Sequence, residues 1–507
     1  MRRNLMIQGT MSNVGKSVLV GGLCRVLRQD GWKVAPFKSQ NMALNSFITA
    51  DGLEMGRAQV MQAEAAMTEP DVRMNPILLK PTNDTGSQVI VNGIPRGVMS
   101  AREYFQKRAS YLPEILEAYQ SLEEEYDVIL IEGAGSPAEI NLKREDIVNM
   151  GMAELVDAPV LLAGDIDRGG VFAQIYGTIA LLEERERKRI KGNIINKFRG
   201  DVSILQPGLE MLEERTQIPV LGVVPWFQLD IDEEDSLTER FQRKDHAGLA
   251  DVAVIRLPRI SNFTDFAPLE AMEELNVRYV RTPAEFDEPD AVLIPGSKNT
   301  IQDLLWMRQS GLEAKIQRFA AKGGLVFGIC GGYQMLGESI EDPAGAEQKG
   351  SVRGMGLLPI RTVFKESKRT TRVQGHFTQV DGLLAGLRGT EWEGYEIHMG
   401  ETMLLEGAKP LLERADAAES GEPGEMQADG AQRGQVYGCY IHGIFDAPEC
   451  ARGFAEALLR QKGYDTEQLT VKDWKAYKEE QYDRLAEIVR QSLDMEAVYR
   501  ILERKER

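Results

Sequence analysis

Short apolar runs alternate with amphipathic stretches through the first 230 positions of the chain. The runs are NLMIQG (4–9), KVAPFK (33–38), DVILIEG (127–133), APVLLAGD (158–165), GNIINK (192–197) and PVLGVVP (219–225). Continuous apolar runs bounded by Gly, Pro or charged residues are the pattern of strands covered on both faces. The stretches 18–28 and 173–185 between them carry helical periodicity. This alternation predicts an α/β fold with a parallel sheet, in which ligands bind at the carboxyl ends of the strands.

The pattern lapses at QLDIDEEDSLTERFQRKDHAG (228–248), a polar, charged stretch that reads as a linker. It resumes with DVAVIRLPRI (251–260), AVLIPGS (291–297) and GLVFGICGG (324–332), a second α/β unit. The predicted division is 1–230, a linker 231–250, a second domain 251–450 and a charged helical tail 451–507. Residues 407–433, rich in Ala, Glu and Gly, read as a surface loop. A length of 507 residues fits more than one core.

Composition narrows the partners. A formal net charge of −18 argues against nucleic acid, whose phosphates need a basic surface. No apolar run is long enough to span a bilayer, so no membrane is expected. The four cysteines (Cys24, Cys330, Cys439, Cys450) are too widely spaced for a disulfide framework or a metal knuckle. A reducing cytoplasm is the compartment they fit.

The first run leads into Gly9-Thr-Met-Ser-Asn-Val-Gly-Lys-Ser17. The usual phosphate loop, G-x-x-x-x-G-K-[ST], would have a glycine where Thr10 stands. The strand before it, the helix after it and the small or polar Thr10, Ser12 and Asn13 nevertheless make the setting in which helix N-terminal amides hold an anion. Gly15 and Lys16 would then cradle ATP phosphates, and Ser17 would hold Mg2+. Glu132 closes a second strand, before Gly-Ala-Gly, where a carboxylate can share that Mg2+. Asp165 and Asp167, at another strand end, are candidates for metal or substrate contact.

In the second unit, Gly328-Ile-Cys330-Gly-Gly332 sits between an apolar run and a helical pattern, as in the sharp turn that presents a nucleophile. A buried cysteine is ordinarily a small hydrophobe. The flanking glycines argue for a strained turn instead, with the Gly331 amide facing a developing oxyanion. Gly296, in the LIPGSKNT loop, is a second oxyanion candidate. A cysteine nucleophile needs a histidine base. Of His246, His376, His398 and His442, the first lies in the linker and the second has no special setting. His398 in GYEIHMG and His442 in YIHGIFD both read as ending apolar strands, and spacing does not separate them.

A nucleotide loop and a cysteine acyl-transfer turn in one chain point to ammonia: glutamine releases it, and ATP activates the carboxylate that receives it, as an acyl phosphate. With GTMSNVGKS, PFKSQNMALNS, EMGRAQVMQAEAA, MNPILLKP, IEGAGSPAEINL, DIDRGGVFA, NKFRGD, LIPGSKNT, GICGGYQMLG, GYEIHMG and YIHGIFD in this order, the chain resembles the cobyric acid synthase family nearly from end to end. PFKSQNM and NPILLKP set it apart from the related cobyrinic acid a,c-diamide synthases.

The resemblance implies a P-loop domain similar to dethiobiotin synthetase, then a class I glutamine amidotransferase domain. It implies amidation of the b, d, e and g carboxylates of adenosylcobyrinic acid a,c-diamide, each using one glutamine, one ATP and one water. It assigns the nucleophile to Cys330 and the base to His442, and places an adenine contact at Asn196. Many amidotransferases carry a glutamate two places after the histidine; here that place is Ile444, and Asp446 or Glu396 are the carboxylates available nearby. For the corrinoid carboxylates, Lys38, Gln40, Asn41, Asn45, Lys80, Lys197 and Arg199 are candidates at predicted strand ends. With no long insertion evident in the first domain, a large planar ligand implies an open cleft, completed by a second copy of the chain in a homo-oligomer. Two other readings compete: a ligase acting on cobyrinic acid itself, and a partitioning-type ATPase with a vestigial cysteine module.

Overall fold

The computed structural model describes residues 3–82, 86–231, 248–417, 424–467 and 469–504. Most of the predicted linker, His246 included, lies outside them. The six apolar runs of the first part become six parallel strands, in the spatial order Val220–Pro225, Ile190–Phe198, Val160–Asp165, Asn4–Gly9, Val128–Glu132 and Val34–Phe37. Both faces are buried. One carries Met6, Ile129, Ile131 and Leu162 with the helices Leu112–Glu125 and Val171–Leu181. The other carries Leu5, Ile7, Leu130 and Leu161 against the helix Lys16–Gln29. Asn4–Gly9 lies between strands reached by opposite crossovers, so its carboxyl end opens the crevice of the sheet.

Between Phe37 and Leu112 the chain leaves this sheet and builds an inserted lobe. Its elements are a four-stranded sheet and a hairpin, Ser46–Ile48 paired with Glu54–Gly56. The sequence reading of no long insertion is therefore corrected. These strands are short and mix Gly, Pro, Asn and charged residues, so they lack the continuous apolar signature of the central ones.

The second unit has five parallel strands, Leu275–Val280, Ala250–Ile255, Ala291–Ile294, Leu325–Ile329 and Val436–Cys439, closed by the antiparallel edge Ala431–Arg433. Beside it a long ribbon pairs Ile360–Phe377 with Glu391–Leu404. The register of this ribbon breaks between Phe364 and Arg369, which places Lys368 in a bulge. Bulges re-aim side chains, and here the lysine reaches Glu54 of the inserted lobe. The reading of 407–433 as a loop is also corrected: Leu412–Asp416, Gln427–Asp429 and Ala431–Arg433 are strands, too short and too polar to announce themselves.

The tail divides. Helix Pro448–Gln461 packs on the second unit through Phe454, Leu458 and Leu459. Helices Trp474–Ser492 and Met495–Leu502 return to the first, where Tyr482, Leu485 and Val489 cover Leu19, Leu23 and Val26. Arg25 pairs with Glu479 at 2.7 Å and Asp483 at 2.8 Å across that contact.

Candidate functional site

The loop after Asn4–Gly9 takes left-handed backbone at Asn13 (φ 60°) and Gly15 (φ 92°), turning successive amides inward before the helix begins at Lys16. A Cβ on Gly15 would stand 2.4 Å from Asn196 Nδ2, so only glycine fits. The loop is braced from the neighbouring strand: Asn196 Nδ2 donates to the Val14 carbonyl at 2.7 Å and Lys197 Nζ to the Asn13 carbonyl at 2.6 Å. Asp165 holds Lys197 at 3.1 Å. Thr10 donates its hydroxyl to Gln174 at 3.2 Å. Such a nest of amides at a helix N-terminus fits phosphates.

Glu132 is buried at the foot of this loop, 2% exposed. Its Oε1 accepts from Ser17 Oγ and Lys38 Nζ, each at 2.9 Å; its Oε2 accepts from Gln62 at 2.6 Å and Gln59 at 3.4 Å. Burial alone would raise the carboxyl, but Lys38, Lys16 and Gln62 outweigh it and hold Glu132 below the usual range. One hydroxyl and one ionised carboxylate are an oxygen pair that could hold a divalent cation. Among the described residues no group of three or more His, Cys, Asp or Glu forms a metal cage. Gln59 and Gln62 were not singled out from sequence, although their i, i+3 spacing in EMGRAQVMQAEAA puts both on one helix face.

The remaining candidates for the corrinoid scatter around this centre. Gln40 accepts from Tyr104 OH at 2.7 Å, and Asn41 donates to Gln59 at 2.9 Å. Asn45 is buried beside the hairpin. Arg199 pairs with Asp167 at 2.9 Å and lies 3.8 Å over the Trp226 ring. Lys80 stands apart, bonded to Ser46 Oγ and Glu54 Oε1, each at 2.8 Å, in the seam between the two units. Lys368 grips the other Glu54 oxygen, and Lys298 donates to Gln88 at 2.9 Å. Burial, then the neighbouring Lys368 and Lys80, bring Lys298 down to about 7.

In the second unit Cys330 has φ 52° and ψ −109° and opens the short helix Gly331–Leu336. The turn is tight because Gly332 presses on the neighbouring strand: a Cβ there would lie 2.0 Å from the Ile294 carbonyl. A Cβ on Gly331 would stand 2.9 Å from the Ser297 amide, and one on Gly296 3.3 Å from His442 Cε1, so both oxyanion candidates adjoin the thiol and the ring.

His442 is 1% exposed and donates from Nδ1 to Asp265 Oδ2 at 2.7 Å. This leaves Nε2 on the side of Cys330, whose thiol raises the ring's proton affinity and whose Sγ donates to the Ile397 carbonyl at 3.7 Å. Asp265 Oδ1 also accepts from the Gly443 amide at 3.0 Å. Burial disfavours the charged ring, but the Asp265 carboxylate and then Cys330 overcome it and hold the imidazole up at about 10. Neither Asp446 nor Glu396 fills this place: Asp446 is exposed, and Glu396 is bound to Arg369 and Arg414. Asp265 comes from the NFTDF turn, distant in sequence, so no local spacing revealed it. His398 lies inside the Glu391–Leu404 strand, not at its end, with Nδ1 2.8 Å from the Gly400 carbonyl and its ring stacked 3.7 Å from Tyr440.

Residues 5–237 match the CobQ/CobB/MinD/ParA nucleotide binding domain, and residues 251–450 the CobB/CobQ-like glutamine amidotransferase domain. A cobyric acid synthase of Ruminiclostridium cellulolyticum is 58% identical over 99% of this chain and 98% of its own length. That of Lachnoclostridium phytofermentans is 57% identical over 99% of each, and that of Clostridium acetobutylicum 53% over 98% of each. The chain belongs to the cobyric acid synthase family. As a member of that family it is a ligase, and the two matched domains coincide with the two sites described above. The partitioning-ATPase alternative has no place for a complete cysteine, histidine and aspartate set. Asp265 is the member of the cysteine, histidine and aspartate set that sequence reasoning missed.

Proposed function

We propose that this chain converts the b, d, e and g carboxylates of adenosylcobyrinic acid a,c-diamide to amides, each with one glutamine, one ATP and one water. The observation that carries the reading is the pairing, in one chain, of the Ser17–Glu132 loop centre with the Cys330–His442–Asp265 set.

In the second unit the Cys330 proton rests on His442, and the thiolate sulfur attacks the glutamine amide carbon. The Gly331 amide and the Gly296–Ser297 backbone face the oxyanion. The imidazolium, kept charged by Asp265, returns the proton to the departing nitrogen and NH3 leaves. Water, deprotonated by His442, then cleaves the thioester to glutamate. In the first unit Lys16 and the loop amides would hold the triphosphate, and Ser17 and Glu132 would hold Mg2+, which supplies neutralisation of charge on the transferred phosphoryl group when bound. Lys38 and the residues bordering the loop meet the substrate carboxylate, whose oxygen takes the γ-phosphoryl group of ATP to give an acyl phosphate and ADP; NH3 crosses the seam, attacks the acyl carbon and displaces phosphate, leaving the amide.

Purified protein supplied with ATP, glutamine and the a,c-diamide is expected to give a product with four new amides by mass spectrometry. A chain acting on cobyrinic acid, stopping after two, would overturn the assignment. Lys16→Ala is expected to lower amidation with glutamine and with ammonium chloride alike, by roughly a hundredfold or more, because phosphoryl-charge stabilisation serves both routes. A loss confined to glutamine would remove Lys16 from the nucleotide site.

A further inference from the structure

The inserted hairpin of the first unit touches the catalytic pair of the second through two residues that do not themselves meet the thiol. The Ser46 carbonyl accepts from Tyr395 OH at 3.1 Å and from Asn262 Nδ2 at 3.2 Å. Asn262 Nδ2 also donates to Tyr395 OH at 2.9 Å, and its Oδ1 accepts from the Ser46 amide at 3.3 Å. Each partner is one step from one member of the pair. Tyr395 exchanges both backbone hydrogen bonds with His442, at 3.1 and 2.9 Å, and its ring stacks 5.3 Å from the imidazole. Asn262 holds left-handed backbone (φ 52°) and begins the turn bearing Asp265, whose amide donates to the Asn262 carbonyl at 3.1 Å.

The hairpin is itself anchored. Phe47 packs 5.3 Å from Tyr395, with the guanidinium groups of Arg57 and Arg372 at 5.3 and 5.2 Å from its ring. Arg372 donates to the Ile48 carbonyl at 3.1 Å. Lys80 and Lys368 clamp Glu54 at the hairpin's other strand. The opposite end of the lobe leads into Gln59 and Gln62, which hold Glu132. One hairpin thus joins the loop centre to the cysteine site.

We propose that Tyr395 and Asn262 are positioning residues through which the Ser46–Gly56 hairpin aligns Asp265 with His442, so that the glutaminase half of the reaction depends on the seating of the other domain. The contact on Ser46 is to its backbone, so a change of the Ser46 side chain leaves it in place, and the test falls on Tyr395 and Asn262. This rests on the proposed glutamine hydrolysis at Cys330.

Tyr395→Phe keeps the ring on His442 and Phe47 and removes only the hydroxyl. Asn262→Asp keeps a residue tolerant of φ > 0 and removes the two donated hydrogen bonds. Each variant is expected to lower kcat for glutamine-dependent amidation by roughly five- to tenfold, the scale of one lost buried hydrogen bond. KM for glutamine and the rate with ammonium chloride should stay within about twofold, as direct ammonia bypasses the cysteine site. The alkaline limb of glutamine hydrolysis should move to lower pH, because a loosened carboxylate holds the imidazolium less well. Wild-type kinetics and an unmoved limb in both variants would overturn the proposal, as would an equal fall with glutamine and ammonia. Absence of glutamine consumption by the unaltered protein would instead overturn the reading it rests on.

Discussion

Replacing Cys330 with alanine is expected to abolish glutamine-dependent amidation, by roughly 10⁴-fold or more, the scale seen when a true nucleophile is lost. Amidation supplied with ammonium chloride should persist within about twofold of the unaltered rate. The argument is spatial. Cys330 sits in a turn closed by Gly332 against Ile294, far in the chain and in the fold from Ser17 and Glu132. Alanine removes the sulfur without enlarging the side chain, so the elbow and the seam survive. If glutamine still drives the reaction in Cys330→Ala, another group is the nucleophile.

Asp265→Asn should be nearly as damaging, with a loss of roughly 10²–10⁴ in kcat/KM for glutamine, because an amide can hold the ring in the wrong tautomer. Its pH signature is specific. His442 is raised from 6.5 to about 10 in the fold, chiefly by Asp265 against the opposing burial. A group whose folded pKa is raised stabilises the fold fully below its unfolded value, and that contribution fades as pH rises through the folded value. The window is therefore pH 6.5 to 10, and stability should fall across it in the unaltered protein. In Asp265→Asn the slope across this window should flatten, and the alkaline limb of glutamine hydrolysis should shift toward neutral pH. Urea unfolding at pH 6, 8 and 10 measures the first effect and a pH–rate profile the second. A limb that stays in place would show that Asp265 does not set the ring's charge.

What the sequence disclosed follows the physics of each element. Central parallel strands are buried on both faces, so NLMIQG and DVILIEG are legible as unbroken apolar runs and fall where predicted. Gly15 and Gly332 are legible because their positions forbid a side chain. The inserted lobe was not legible as a unit, since its strands are short and two of them, Gln40–Met42 and Ile94–Ser100, are partly or largely exposed and carry no single period. The choice between His398 and His442 was equally closed to local reading. It turns on which ring meets Cys330 and a carboxylate, and that carboxylate, Asp265, is 177 residues away in the chain. Lys368 was hidden for the same reason: its partner Glu54, which also holds Lys80, lies across a seam that only the folded chain creates.

The return of helix Trp474–Ser492 to the nucleotide domain has a consequence for biosynthesis. The face of the Lys16–Gln29 helix at Gly22 meets Leu485 and Val489, and stays uncovered until they arrive. Those residues leave a ribosome only after the whole amidotransferase domain has been made. The amidotransferase unit, lying wholly between the two halves of this contact, can fold while the first domain still shows an open apolar groove. A chain that stops short of residue 474 therefore keeps every candidate catalytic residue and still lacks one wall of its nucleotide domain. Completion of the phosphate-binding domain waits for a segment made after the amidotransferase domain.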